Sequence, residues 1–161
     1  MTVMDKYTKK NSVSDTQIKI EAYLFDKFKE EYGLSNMVKD HVIELSKDPN
    51  VTIKPDIYCE HPRIIGEIHS HLGKLKPAQI HKIAADILKM NLFEKKVGNC
   101  SKYIIICSKD EKDQLTGNSY IAEAIRQYRI KVICYELSLD LHAELDNTMR
   151  KQNMLRNHTN K

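Results

Sequence analysis

The sequence predicts an α/β fold, a mixed central sheet of about four strands flanked by helices, and three observations carry that reading. Residues 51–59 alternate apolar and polar side chains, and after a turn an extended pattern resumes over residues 64–72. Two continuous apolar runs, residues 103–107 and 132–135, are separated by a helical stretch, which implies a parallel crossover. Between these sets, Ile80, Ile83, Ala84, Ile87 and Leu88 recur at the spacing of one helix face.

Taken in order, Ser14 and Asp15 offer an N-cap for a helix over residues 15–32, with Ile18, Tyr23, Leu24, Phe25 and Phe28 as its apolar side and Gly33 as its stop. Met37, Val38, His41, Val42 and Leu45 fit a short second helix between Ser35 and Asp48-Pro49. The strand of residues 51–59, interrupted at Pro55, and the strand beginning at Ile64 form a hairpin turning at His61-Pro62. Pro77 opens the third helix at its first position. Residues 118–129 form the crossover helix, and Leu141, Leu145 and Met149 support a last helix over residues 139–154. The whole is one domain, residues 1–161, with a core of about 15–137 and a C-terminal helix and basic polar tail over 138–161.

Composition bounds the function. An apolar fraction of 41% with 30% charged residues is that of a globular domain, not a disordered chain. No apolar run approaches the roughly 18 residues of a membrane span, and residues 1–14 lack a signal core, so a cytoplasmic protein without a membrane partner is expected. Cys59, Cys100, Cys107 and Cys134 form no CxxC pair and read as reduced structural thiols. The net charge of +4, with basic residues gathered over 150–161, is compatible with nucleic acid and leaves a homodimer open. Residues 115–118 lack the spacing of a nucleotide loop, so ATP is not expected.

A symmetric turn at His61-Pro62 pairs positions whose numbers sum to 123. Asp56 then faces Glu67 and Lys54 faces His69, all on one side of the ribbon. Two opposed carboxylates repel, and a cation between them relieves that repulsion. A hard divalent ion such as Mg²⁺ suits oxygen ligands and phosphate chemistry, while a solvated outer face neutralised by Lys54 is the simpler alternative.

Pro55-Asp56, then Glu67-Ile68-His69, then an amphipathic helix and a strand-helix-strand resemble the PD-(D/E)XK nuclease superfamily over residues 15–137. The resemblance implies a restriction-endonuclease-like fold, hydrolysis of phosphodiesters in DNA or else RNA, and Mg²⁺ or Mn²⁺ held by Asp56 and Glu67. It adds Glu21 from the first helix and Gln79 from the helix after the hairpin as members of the site. His69 stands where that family has lysine; it can accept a proton near neutral pH but lacks a permanent charge. Lys54, Lys74 or Lys76 could restore that charge and meet phosphates. A site that binds nucleic acid or a partner without cutting is the alternative. Glu67-Ile68-His69-Ser70-His71 is also similar to the HxH core of JAMM-type zinc hydrolases. There Leu72 replaces the family proline, Gln79 and Lys82 fall on the Ser and Asp positions, and His81 reaches the third-ligand place only with a shifted spacing.

Overall fold

The computed structural model describes residues 3–159, and side chains over residues 15–158; Met1 and Lys161, at the ends of the polar N-terminal stretch and the basic tail, lie outside the described residues. The central sheet has four strands in the order β3 (Ile57–Cys59), β4 (Ile64–His69), β5 (Ser101–Ile106) and β6 (Ile130–Cys134). β3 and β4 are antiparallel, and β5 and β6 continue parallel to β4, so the sheet is mixed as expected. Residues 57–59 pair with 66–64, the register in which partner numbers sum to 123.

Side chains along β4 alternate between two cores. Ile64 and Ile68 pack against α1 (Val3–Tyr32) and α5 (Leu139–Thr159), with Ile20, Leu24, Phe28 and Leu145 buried beside them. Ile65 faces α2 (Pro77–Val97) and its buried Ile83, Ile87 and Met90. Helices α3 (Lys109–Leu115) and α4 (Tyr120–Gln127) cover the rest of that side through Leu115, Ile121 and Ile125. Gly66 sits where a Cβ would meet the Tyr103 carbonyl oxygen of β5 at 3.2 Å, so a side chain there would press on the neighbouring strand. No helix among the described residues is long and apolar enough to cross a membrane.

Four expectations require correction. The first helix does not begin at an Asp15 cap: it runs from Val3, through Ser14, to Tyr32, and Gly33 ends it at φ 62°. Residues 36–45 do not form a helix. Val38 bridges the backbone of Tyr58, Asp40 adopts φ 50°, and Ile43 opens β1 (Ile43–Lys47), which pairs with β2 (Asn50–Ile53) in a separate ribbon. The apolar residues that fitted a helical period serve elsewhere: Met37 is buried in the α1 core, and Ile43 and Leu45 alternate along β1 to pack on the α2 side. The strand of residues 51–59 is two strands, because Pro55 has no N–H and residues 54–56 leave the ladder. Lastly, Leu88 is 61% exposed rather than part of the buried stripe of α2.

Candidate functional site

Glu67 and His69 are odd-numbered positions on β4, and strand alternation turns both toward α2, opposite to Ile64 and Ile68. Both are buried, at 3% and 6% exposure. Asp56 lies just before β3, where the ladder stops, and its Oδ2 accepts the Ile68 N–H at 2.8 Å. That bond takes the place of a strand partner and fixes the carboxylate at the end of the hairpin beside Glu67. Lys54, by contrast, lies in the unpaired stretch between β2 and β3 and is exposed, so it does not face His69 across a ladder.

Helix α2 supplies two residues that lie outside the site expected from the sequence. Asp86 Oδ2 meets His69 Nε2 at 3.0 Å, with both side chains 6% exposed. Lys89 donates from Nζ to Glu67 Oε1 at 2.8 Å and to Asp86 Oδ1 at 3.3 Å. The result is a continuous network, His69, Asp86, Lys89, Glu67, under one turn of helix. Burial pushes Glu67 up to about 8, reinforced by the charges of Asp86 and Asp56 and only partly opposed by Lys89. Burial would also raise Asp86, but the His69 bond and the Lys89 charge outweigh it and hold Asp86 below the ordinary carboxylate range. Glu21 of α1 is raised by burial and then by the Asp56 charge, while Lys82 lowers it, so Glu21 shares the field of Asp56. A polar pair at positions 86 and 89, inside the buried run of Ile83, Ile87 and Met90, was the available signal, since buried charges require partners.

Gln79 and both histidines of the HxH stretch adjoin a cleft. Gln79 contacts His71 Nδ1 through Nε2 at 2.8 Å, and its Oε1 accepts the Lys76 N–H at 2.7 Å. His71 Nε2 meets the Lys74 carbonyl at 3.2 Å, so both ring nitrogens of His71 are engaged within the protein. Lys76 lines the same cleft as His69, whereas Lys74 borders a different cavity beside α3 and α4. The cysteines form no disulfide; Cys59 and Cys107 are buried, and burial pushes Cys107 up to about 12.

The donor set suits a hard divalent cation. Asp56 and Glu67 each spend one oxygen on the protein, and Asp56 Oδ1 and Glu67 Oε2 have no hydrogen bond to the described residues. Among the described residues no three His, Cys, Asp or Glu side chains form a cage for an ion. Mg²⁺ is commonly held by one or two carboxylates and completes its octahedron with water and phosphate oxygens, so two carboxylates meet its requirement. Zinc held by the HxH pair would lack His71, because Gln79 and the Lys74 carbonyl engage both of its ring nitrogens, whereas His69 is engaged at Nε2 alone. No protein-family model matches the chain, and no curated protein or solved structure matches it significantly.

Proposed function

We propose that the chain is a metal-dependent nuclease of the PD-(D/E)XK type that hydrolyses phosphodiester bonds in DNA. The observation that carries this reading is that Asp56, bonded to the Ile68 N–H next to Glu67, lies within reach of the Glu67 charge, and each carboxylate has an oxygen left over. Asp56 and Glu67 would hold Mg²⁺ or Mn²⁺, which supplies Lewis-acid charge for the phosphate and acidifies a water. Lys89, rather than Lys54, Lys74 or Lys76, supplies the permanent cation that His69 lacks, since its ammonium already touches Glu67. His69 is the base. An ionised Asp86 can only accept, so Nε2 carries the ring proton and Nδ1 keeps the lone pair that takes a proton from the attacking water. Glu21 adds to the negative field that favours cation binding.

The test is cleavage of single- and double-stranded DNA and RNA with Mg²⁺ or Mn²⁺. Asp56→Ala and Glu67→Ala each lose about 4 kcal/mol of transition-state stabilisation, roughly 10³-fold in rate. A wild-type protein that cuts no substrate with either metal refutes the reading. One observation favours the alternative, a binding module of the same fold that does not cut. The Lys89 ammonium lies between Glu67 and Asp86 and bonds to both, so the network is closed without a metal. That protein would bind nucleic acid equally well with and without Mg²⁺.

A further inference from the structure

Beside His69 lies a cleft of about 220 Å³ that the two carboxylates do not line. One wall is α5. Thr148, Gln152, Asn153 and Arg156 recur at helical spacing, so a single face of α5 looks into the space. The opposite wall is the first turns of α2, with Lys76, Gln79 and Lys82, and His69 and Ser70 form part of the floor. Among the described residues no acidic side chain lines it: its charges are the cations of Lys76, Lys82 and Arg156, and the rest of its polar lining is amide, hydroxyl and imidazole. Lys76 Nζ joins α5 to α2 through Asn153 Oδ1 at 3.4 Å, and Thr16 of α1 donates to Glu144 of α5 at 3.1 Å.

Lys82 ties this cleft to the acidic residues. It lines the cleft, and its charge, like that of Asp56, reaches Glu21 of α1. A space whose charges among the described residues are all cationic, floored by His69 two residues along β4 from Glu67, is what a phosphodiester chain requires when one phosphate meets a metal and its neighbour must be gripped without one.

We infer that the cleft between α2 and α5 binds a single nucleic-acid strand by its phosphates, through Lys76 and Lys82. A duplex carries two backbones on a wide, stiff cylinder and needs an open face, whereas this cleft is a space of about 220 Å³ lined by both α2 and α5. One flexible backbone enters between the helices, and the amides of Gln152 and Asn153 serve as donors and acceptors for it. The substrate class is therefore an unpaired strand, or the frayed end of a duplex, rather than intact double helix. This inference rests on the proposed nuclease reading only for the position of the scissile bond, and binding can be measured without cleavage.

The experiment is fluorescence polarisation with a labelled mixed-sequence oligonucleotide in EDTA, as DNA and as RNA, each single-stranded and annealed to its complement. The single strand is expected to bind at least about 10-fold more tightly than the blunt duplex. Lys82→Gln and Lys76→Gln each weaken it by about 10-fold and reduce the slope of log affinity against log salt by about 0.7, the loss of one strand phosphate. Lys95→Gln, exposed at the far end of α2 about 20 Å away, serves as the control and leaves both unchanged. Equal affinity for duplex and strand, or cleft variants that behave like Lys95→Gln, overturns the inference even if the protein cuts DNA. Displacement of the strand by inorganic phosphate at low-millimolar concentration and constant ionic strength also overturns it, since the pocket would then hold a free anion. Tight, cleft-dependent strand binding without cleavage under any metal keeps the inference and removes the nuclease reading.

Discussion

Glu67 and Glu111 are both buried glutamates, at 3% and 0% exposure, and burial pushes both up to about 8. Their surroundings differ. Glu67 has Lys89 at 2.8 Å, Asp86 and Asp56 within reach of its charge, and one oxygen free for a further partner. Both carboxyl oxygens of Glu111 are buried with no hydrogen-bond partner, and Lys82 lowers it by charge alone. The contrast separates a raised carboxyl that belongs to a site from one that is merely enclosed. At Glu67 other charges are gathered and a cation is already drawn in; at Glu111 the fold tolerates a carboxyl by keeping it protonated. A shifted titration marks burial, and only the company of the group marks chemistry.

The largest expected effect makes Glu67 resemble Glu111. Lys89→Met removes the cation while filling its space, and should cost about 3 kcal/mol above pH 8, at the low end for a broken buried pair because water reaches the partly exposed Lys89 position. The cost depends on pH. Glu67 is neutral near about pH 5 and ionises through its raised value, so the variant should lose least in acid and most above pH 8, by urea denaturation in EDTA. A loss that is constant across that range means the ammonium does not stabilise the Glu67 charge.

The converse substitution removes the lone carboxyl. Glu111→Leu should stabilise the protein by about 2 kcal/mol above pH 8, and by less in acid, since a buried unpaired polar group costs about 1–3 kcal/mol. The sign follows from linkage. A carboxyl near 4.5 in the unfolded chain and near 8 in the fold binds its proton preferentially in the native state, so its contribution is fully present below about pH 4.5 and declines as pH rises to about 8. The wild-type protein should therefore lose stability over that interval, and Glu111→Leu should flatten part of the slope. If the slope is unchanged, Glu111 has partners in solution that this packing lacks.

The difference between these two residues also explains what could be read in advance. The hairpin register was legible because alternation and a His61-Pro62 turn leave one symmetric pairing, and residues 57–59 against 66–64 follow it. The mixed four-stranded sheet and α2 were legible for similar reasons: long apolar runs and a regular period. Residues 36–45 misled because Met37, Val38, Val42 and Leu45 satisfy a period near 3.6 while Ile43 and Leu45 also satisfy a period of two, and the β-branched pair Val42-Ile43 favours the latter. α3 went unseen because six of its seven residues are polar and its contact with the core is Leu115 plus the carboxyl of Glu111. Asp86 and Lys89 were left out of the expected site because a template of apolar positions passes over a polar residue inside the buried stripe. The partner of His69 lies on a different element, and no local spacing joins them.

The smallest expected change in stability sharpens the comparison within the site itself. Asp86→Asn keeps an oxygen for His69 but removes the charge, and should cost about 1 kcal/mol, the difference between a charged and a neutral hydrogen bond. Because Asp86 is held below its ordinary value, the wild-type advantage is present above about pH 4 and is lost as pH falls through the depressed value; in acid, variant and wild type should converge. The informative readout is the imidazole ¹⁵N spectrum. With Asp86 ionised, Nε2 must carry the ring proton; with asparagine, its amide can donate instead, and the proton can move to Nδ1. A change of tautomer at His69 with little loss of stability identifies Asp86 as the residue that sets which nitrogen is the base. An unchanged tautomer leaves Asp86 a packing residue, as Glu111 is, and moves the choice of base away from the His69–Asp86 pair.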